Sequence, residues 1–467
     1  MGEKYPYMGE ARNVSSIDNV NTYKKPSKED RYEFVTHSYE GTGGYLDCEY
    51  LEKFDKETSI NRRARSVYYK NNIKGIVDSL YVPVFSTEPF RESDNQMYDD
   101  FCQDVDLKGS SITQFVNSVI KYSRLHGVCF VVVDNLPSDK QPATLSEAIK
   151  GRSYPYCYYV TADDVEDYSC DNHGRLISIT FEDGEIIYEG EEFDVYRYWD
   201  AEYSVRYIED ENDKIKEIED RQYHNLGVLP VFGAYIKPDS HVLPHPEVYD
   251  LCTMSKRIFN LDSEQTNLSR LCCVPMIAIQ TRDHDINLDI GADSILAYGG
   301  EYDGSVSAPS WISPDVNILT VLNNLSNELV QKLLDSANSI GATAVASKNT
   351  QAKSGVSLQW EFLGQQFALQ QSARTAEKTE QMIALIFGLY IKNNIEMTIQ
   401  YRDNFAPSQQ DILDKMNVYN QLLDMNMSPE INATIHTELI KDMADYYKWS
   451  VDPQSLVDSI ATQNSVI

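Results

Sequence analysis

The chain has 467 residues, 42% hydrophobic, 24% charged and 11% aromatic, a globular balance sized for two or three structural units. Lys and Arg total 41 against 72 Asp and Glu, a net charge of −31. Such a surface repels phosphate and excludes a regulator that clamps DNA through a basic face, while leaving room for one that handles DNA without gripping it. Eight cysteines without CxxC spacing read as buried thiols in a reducing compartment. The amino terminus lacks a signal-peptide pattern, and no apolar run nears the ~20 residues of a membrane span. The expectation is a soluble, intracellular-type protein with no membrane partner.

Residues 1–60 are polar and rich in Gly, Ser, Asn and Asp, which predicts an arm with little core of its own. Between Ile60 and Leu80, the residues Tyr69, Ile73, Ile76, Val77 and Leu80 fall at three- and four-residue steps. This spacing predicts one helix with one apolar face, stopped by Pro83 and Pro89. A second helix, Ile112–Leu125, leads into Gly127–Asp134, an apolar run that reads as a buried strand. From about 155 to 236 the pieces 156–161, 176–181, 185–188, 193–199 and 203–209 are short, aromatic and β-branched. Asn-His-Gly and Glu-Asp-Gly turns between them predict an antiparallel meander. The fold class is therefore α+β, with residues 30–236 forming a mixed domain.

The remainder is mainly helical. Residues 246–273 carry a helical apolar stripe, with Pro246 in the first turn and Pro275 beyond the end. Residues 274–313 form a small insert with strand-like pieces at 276–280 and 294–298, and 314–340 form a second long helix. A small polar stretch, Gly341–Gly355, precedes a helix over 357–394. Three further helices are expected in 408–467, capped by Ser408, Ser428 and Asp452.

No Walker A loop, GxGxxG, GxSxG or HExxH is present. His241 and His245 are four apart, but Pro244 and Pro246 flank the second, which disfavours a shared metal. Asp283, Asp285, Asp289 and Asp293 lack the Gly and terminal Glu of a calcium loop, so they read as a solvated or partner-facing surface. The rival reading is a nuclease using these carboxylates with a divalent ion. No catalytic residue, cofactor or metal site is assigned, and the chain is read as no enzyme. Two long helices bracketing an insert bury only one face each in a monomer. Such a hairpin gains stability when neighbouring copies pack side by side in a ring; the plain alternative is a helical subdomain around a common core.

Arg62-Arg63-Ala64-Arg65-Ser66-Val67-Tyr68-Tyr69 with Asn71-Asn72 and Ile76-Val77, then Leu226-Gly227-Val228-Leu229-Pro230-Val231, and then Gly355-Val356-Ser357-Leu358-Gln359 occur in this order. In that order and spacing, from about residue 60 onward, the chain resembles the portal proteins of tailed bacteriophages. The resemblance implies an arm (1–60), an α+β wing (61–245), two stem helices (246–273 and 314–340) and a β-rich clip between them (274–313). It further implies a tunnel loop (341–356), a long wing helix (357–404) and a short helical crown (405–467). The implied assembly is a homo-oligomeric ring, usually of twelve subunits, at one capsid vertex of the virion, assembled in the host cytoplasm. Non-specific double-stranded DNA would pass through its channel during packaging and ejection. Terminase, a head-tail adaptor and the major capsid or scaffold protein would be its partners. In this reading Lys348, Asn349, Gln351 and Lys353 face the DNA channel, and Arg282 with Asp283, Asp285, Asp289 and Asp293 docks partners on the clip. Another ring-forming capsid or tail component is the nearest alternative.

Overall fold

The computed structural model describes residues 28–53, 63–64, 67–135, 154–188, 190–209, 215–237, 241–273, 276–281, 295–299, 310–312, 317–342, 355–402, 405 and isolated positions between 417 and 437. The helices are α1 (Lys28–Glu40), α2 (Ile73–Asp78), α3 (Gln96–Phe101), α4 (Ile112–His126), α5 (Tyr249–Cys273), α6 (Asn317–Ser339) and α7 (Gly355–Ile391). The strands are β1 (Phe90–Ser93), β2 (Val128–Asp134), β3 (Tyr156–Val160), β4 (Val165–Cys170), β5 (Leu176–Tyr188), β6 (Glu191–Trp199) and β7 (Tyr203–Glu209). They continue with β8 (Ile215–Glu217), β9 (Gln222–Tyr223), β10 (Val231–Tyr235), β11 (Met276–Thr281), β12 (Ile295–Gly299), β13 (Ser310–Ile312) and β14 (Met397–Gln400).

The apolar run at β2 explains the layout. Every residue of this strand is buried, because side chains alternate across it and both faces meet a core. Cys129, Val131 and Val133 join the helical core built from α1, α2, α4, α5, α6 and α7. Val128, Phe130 and Val132 join a second core with Ile179, Phe181 and Trp199 of the meander. The strand sits at the centre of an antiparallel sheet ordered β10-β2-β3. The larger sheet, β4-β5-β6-β7-β8, is antiparallel throughout. The fold is α+β, as the patterning predicts.

Local chemistry fixes α4. Ser111 and Gln114 close a reciprocal capping box at its start. Gly127 ends it at φ 87°, where a Cβ would stand 2.7 Å from Pro244 Cγ. Arg124 in the last turn is buried; it donates to Ser372 Oγ at 2.9 Å and to the Ala368 carbonyl, tying α4 to α7.

Four expectations need correction. The helix read across Ile60–Leu80 is helical only at Ile73–Asp78 in its second half, and 67–72 is non-helical. Tertiary bonds outcompete the local periodicity there: Tyr69 Oη donates to the Ser38 carbonyl at 2.8 Å, and its ring stacks on Tyr45 at 3.8 Å. Asn71 donates to the Tyr39 carbonyl at 2.6 Å and accepts from the Lys74 amide at 2.9 Å. The amino-terminal arm is not coreless, since Tyr32, Val35 and Tyr39 of α1 are buried and Tyr45 and Leu51 pack on Phe259. The Glu-Asp-Gly turn at 182–184 is instead a bulge inside the continuous strand β5, with Gly184 at φ 86°. Tyr156–Val160 pairs with β2 and not with the meander. The pairing of β1 with β14, more than 300 residues apart, carried no sequence signal.

His126 gives this core a pH dependence. Its ring is fully buried, Nε2 shares a 2.9 Å hydrogen bond with Thr36 Oγ1, and Nδ1 lies 3.6 Å from Asp163 Oδ1. Burial lowers its pKa to about 4, against the opposing pull of Asp163. The unfolded chain, near the ordinary 6.5, therefore binds this proton more readily than the folded one. Its contribution to stability is complete above about pH 6.5 and drains away as pH falls toward about 4, by an amount on the order of 3 kcal/mol. Urea midpoints of the wild type should drop between pH 7 and pH 4.5 more than those of His126→Gln. Equal drops would place the acid sensitivity elsewhere.

Candidate functional site: a helical hairpin and its strand insert

The pair α5 and α6, with the strands between them, forms a helical hairpin. Their hydrophobic stripes divide by height. On α5, Leu251, Cys252, Ile258, Phe259 and Leu261 are buried against the helical layer. On α6, Leu329, Leu333 and Ala337 are buried, but the same stripe continues outward as Ile318, Val321 and Leu325 with 47%, 64% and 38% exposure. Steps of three and four residues keep these positions on one face. The root of the hairpin is thus core, Leu322 still packs on that core in the outer half, and Ile318, Val321 and Leu325 form an exposed apolar flank beside it. Polar bonds hold the two helices in register: Ser326 Oγ donates to Asp262 Oδ1 at 3.0 Å, and Gln265 Nε2 donates to Asn323 Oδ1.

The insert is a three-stranded sheet ordered β12-β11-β13. β11 pairs parallel with β12 and antiparallel with β13. A parallel pair requires a crossover of a dozen or more residues, and residues 282–294 supply that connection. Arg282, Asp283, Asp285, Asp289 and Asp293 all fall in it and lie outside the described residues. Lys348, Asn349, Gln351 and Lys353, between α6 and α7, also lie outside them, as does nearly all of 406–467.

The two ends of that α6–α7 connection are described. Gly341 follows α6 at φ 84°, with Gly341 and Ala342 both buried. A Cβ on Gly341 would stand 2.6 Å from the Gly364 carbonyl oxygen and 2.9 Å from Ala368 Cβ. The residue is therefore clamped against α7 in a conformation and a space that suit only Gly. Gly355 opens α7 itself.

Behind this face, α7 is anchored by an ion pair that periodicity did not bring out. Glu380 is fully buried, and Arg91 on β1 grips it with Nε to Oε2 at 2.8 Å and Nη2 to Oε1 at 2.6 Å. Tyr401 Oη donates to Oε1 as well. The carboxylate holds the guanidinium charge firmly and drives the Tyr401 pKa upward after burial has already raised it. A signal existed: Glu380 shares the helical face of Ala376, Ile383 and Phe387, all buried. A lone acid on such a face announces a partner.

Among the described residues, no group of three His, Cys, Asp or Glu side chains is placed to hold a metal ion. No described helix is long and apolar enough to cross a membrane. Buried Cys129, Cys157 and Cys252 have thiol pKa values pushed up by burial, the last to about 12.

No family model and no curated protein matches the sequence. Solved structures similar to it include a chain from the virion of a native gene transfer agent particle. That chain has a TM-score of 0.40 and 9% identity, covering 86% of this chain and 98% of its own length. Another comes from the neck of an empty gene transfer agent particle, at TM-score 0.40 and 8% identity, covering 85% and 98%. At this distance the weight falls on the residues themselves.

Proposed function

We propose that the chain is the portal protein of a tailed bacteriophage: a non-enzymatic ring subunit at one capsid vertex through which DNA is packaged and ejected. The observation that carries this reading is the hairpin. Two helices of 25 and 23 residues bracket a three-stranded insert, and the outer half of the second exposes an apolar stripe. A stripe of this kind in a protein otherwise charged at −31 is costly to leave in water and is relieved by a lateral neighbour. In a ring the hairpins stand side by side around the channel, and the strand inserts form one rim where a packaging motor and then a connector dock. The acidic balance suits a channel that DNA slides through without accumulating phosphate contacts.

The test is assembly. Light scattering of the full chain across a salt series should report particles of hundreds of kilodaltons, favoured by moderate salt because screening weakens repulsion between acidic copies. Electron micrographs viewed down the axis should show closed rings. Val321→Glu combined with Leu325→Glu should leave a folded chain, since both positions are exposed, yet abolish the rings. A wild type that stays monomeric at every salt concentration would sink the reading.

A further inference from the structure

A cleft of about 1160 Å3 opens between the end of β2, the β6–β9 side of the meander and the last turn of α7. It is remote in sequence from the hairpin, and nothing in the proposed channel uses it. One wall is the His224 ring, which stacks on the fully buried Trp199 with centroids 6.0 Å apart and planes at 28°. Both imidazole nitrogens are engaged, Nε2 with the Asp200 carbonyl at 3.1 Å and Nδ1 with the Leu226 amide at 3.3 Å. Partial burial also lowers the His224 pKa. The ring is a neutral flat surface, with no nitrogen left over for acid-base work.

The remaining lining is rich in acceptors. Asp134 is almost wholly buried and accepts from Tyr156 Oη at 3.0 Å. Next to it, Asn135 Oδ1 is a buried acceptor with no hydrogen-bond partner among the described residues. Four carboxylates line the cleft, those of Asp134, Glu217, Glu219 and Asp220, against the cations Arg221 and Lys392. Glu217 is paired with Arg221 at 2.6 Å and Glu219 with Arg206 at 2.8 Å, which leaves Asp134 and Asp220 against Lys392, a surplus of one negative charge. Burial raises the Asp134 carboxyl above the ordinary range, a cost that an incoming cation would relieve.

The backbone adds an independent sign. Among the described residues, four other than Gly adopt left-handed φ, and two of them, Asn225 at 55° and Lys392 at 52°, line this one cleft. Lys392 occupies the position after α7 where Gly is favoured. Backbone strain of this kind tends to collect where a ligand is held.

A planar cation with several donors matches an aromatic wall beside buried acceptors, and the guanidinium group has that shape. The cleft is also far larger than one such group. We propose that this cleft receives an arginine-bearing peptide segment of a partner protein, its guanidinium lying on the His224 ring that covers Trp199 and donating toward Asp134 and Asn135. The strongly acidic chain steers such a basic segment inward and turns phosphate-bearing ligands away. This inference stands whether or not the chain forms a ring.

Calorimetric titration of the full chain tests it, with acetyl-Gly-Arg-Gly-amide as the probe and the same peptide carrying neutral citrulline as control. One equivalent per chain should bind, and the citrulline peptide about tenfold more weakly, as expected for loss of a charge-assisted hydrogen bond. Asp134→Asn should weaken the arginine peptide by about tenfold. Should that variant fail to fold, Asp220→Lys decides, because Asp220 is exposed and charge reversal there should also weaken binding severalfold. Equal affinity for the two peptides, no saturation below about 10 mM, or undiminished binding by folded Asp220→Lys would each overturn the proposal. Sedimentation covers the other occupant: if the peptide dissociates copies of the chain from one another, the cleft belongs to a neighbouring copy and the assignment to a separate partner fails.

Discussion

Arg91→Ala is expected to lower stability by about 3–5 kcal/mol, because it strands a buried carboxylate rather than trimming a surface contact. Glu380 has no exposed side-chain surface, and Arg91 retains 22%. The carboxylate is satisfied by two guanidinium bonds and the Tyr401 hydroxyl. Removing Arg91 leaves one donor for an ion out of water, and the short pair β1–β14 loses its tie to α7. Replacing both residues, Arg91→Leu with Glu380→Leu, should cost less than the single change, since no orphaned charge remains. Urea unfolding of the wild type, the single and the double variant at one protein concentration gives the comparison. A single variant within about 1 kcal/mol of wild type would mean that the triad is a bystander.

The same triad shows where reading the sequence stops. Helix α7 was legible because its apolar positions recur at the helical period, and so were α4, α5 and α6 within a few residues at their ends. The buried strand β2 was legible because a strand covered on both faces must be apolar at every position. Neither signal says which distant segment covers which face. The β1–β14 pair joins residues near 90 to residues near 400 through four ladder positions, too short for any alternation to stand out. Residues 67–72 were misread for the opposite reason: a good helical pattern lost to the hydrogen bonds of Tyr69 and Asn71. The cleft was invisible because its wall is assembled from β2, the meander and the end of α7, segments that share no motif. The hairpin is legible in its two stripes, whereas the exposed flank of Ile318, Val321 and Leu325 beside the buried line of the second shows only in the folded chain.

Gly341→Ala should destabilise the chain by about 3 kcal/mol, while the equally conservative Gly364→Ala should be neutral or stabilising. The two glycines face each other across the α6–α7 contact, but their surroundings differ. At Gly341, φ is 84°, a left-handed conformation that costs a residue with a Cβ roughly 1–2 kcal/mol. Its new methyl would also press to 2.6 Å on the Gly364 carbonyl oxygen, a backbone atom that moves only if α7 moves. At Gly364 the nearest atom to an added Cβ is 3.9 Å away, ordinary contact, and alanine favours the interior of α7 by roughly 0.5–1 kcal/mol. Thermal melts of both variants measure the contrast directly. Because Gly341 starts the connection that carries Lys348 and Lys353, forcing α6 and α7 apart there should also reset where that connection leaves the helices. If Gly341→Ala melts with the wild type, the clamp at the root of the connection is loose and the close approach of Gly341 to α7 does not hold the two helices together.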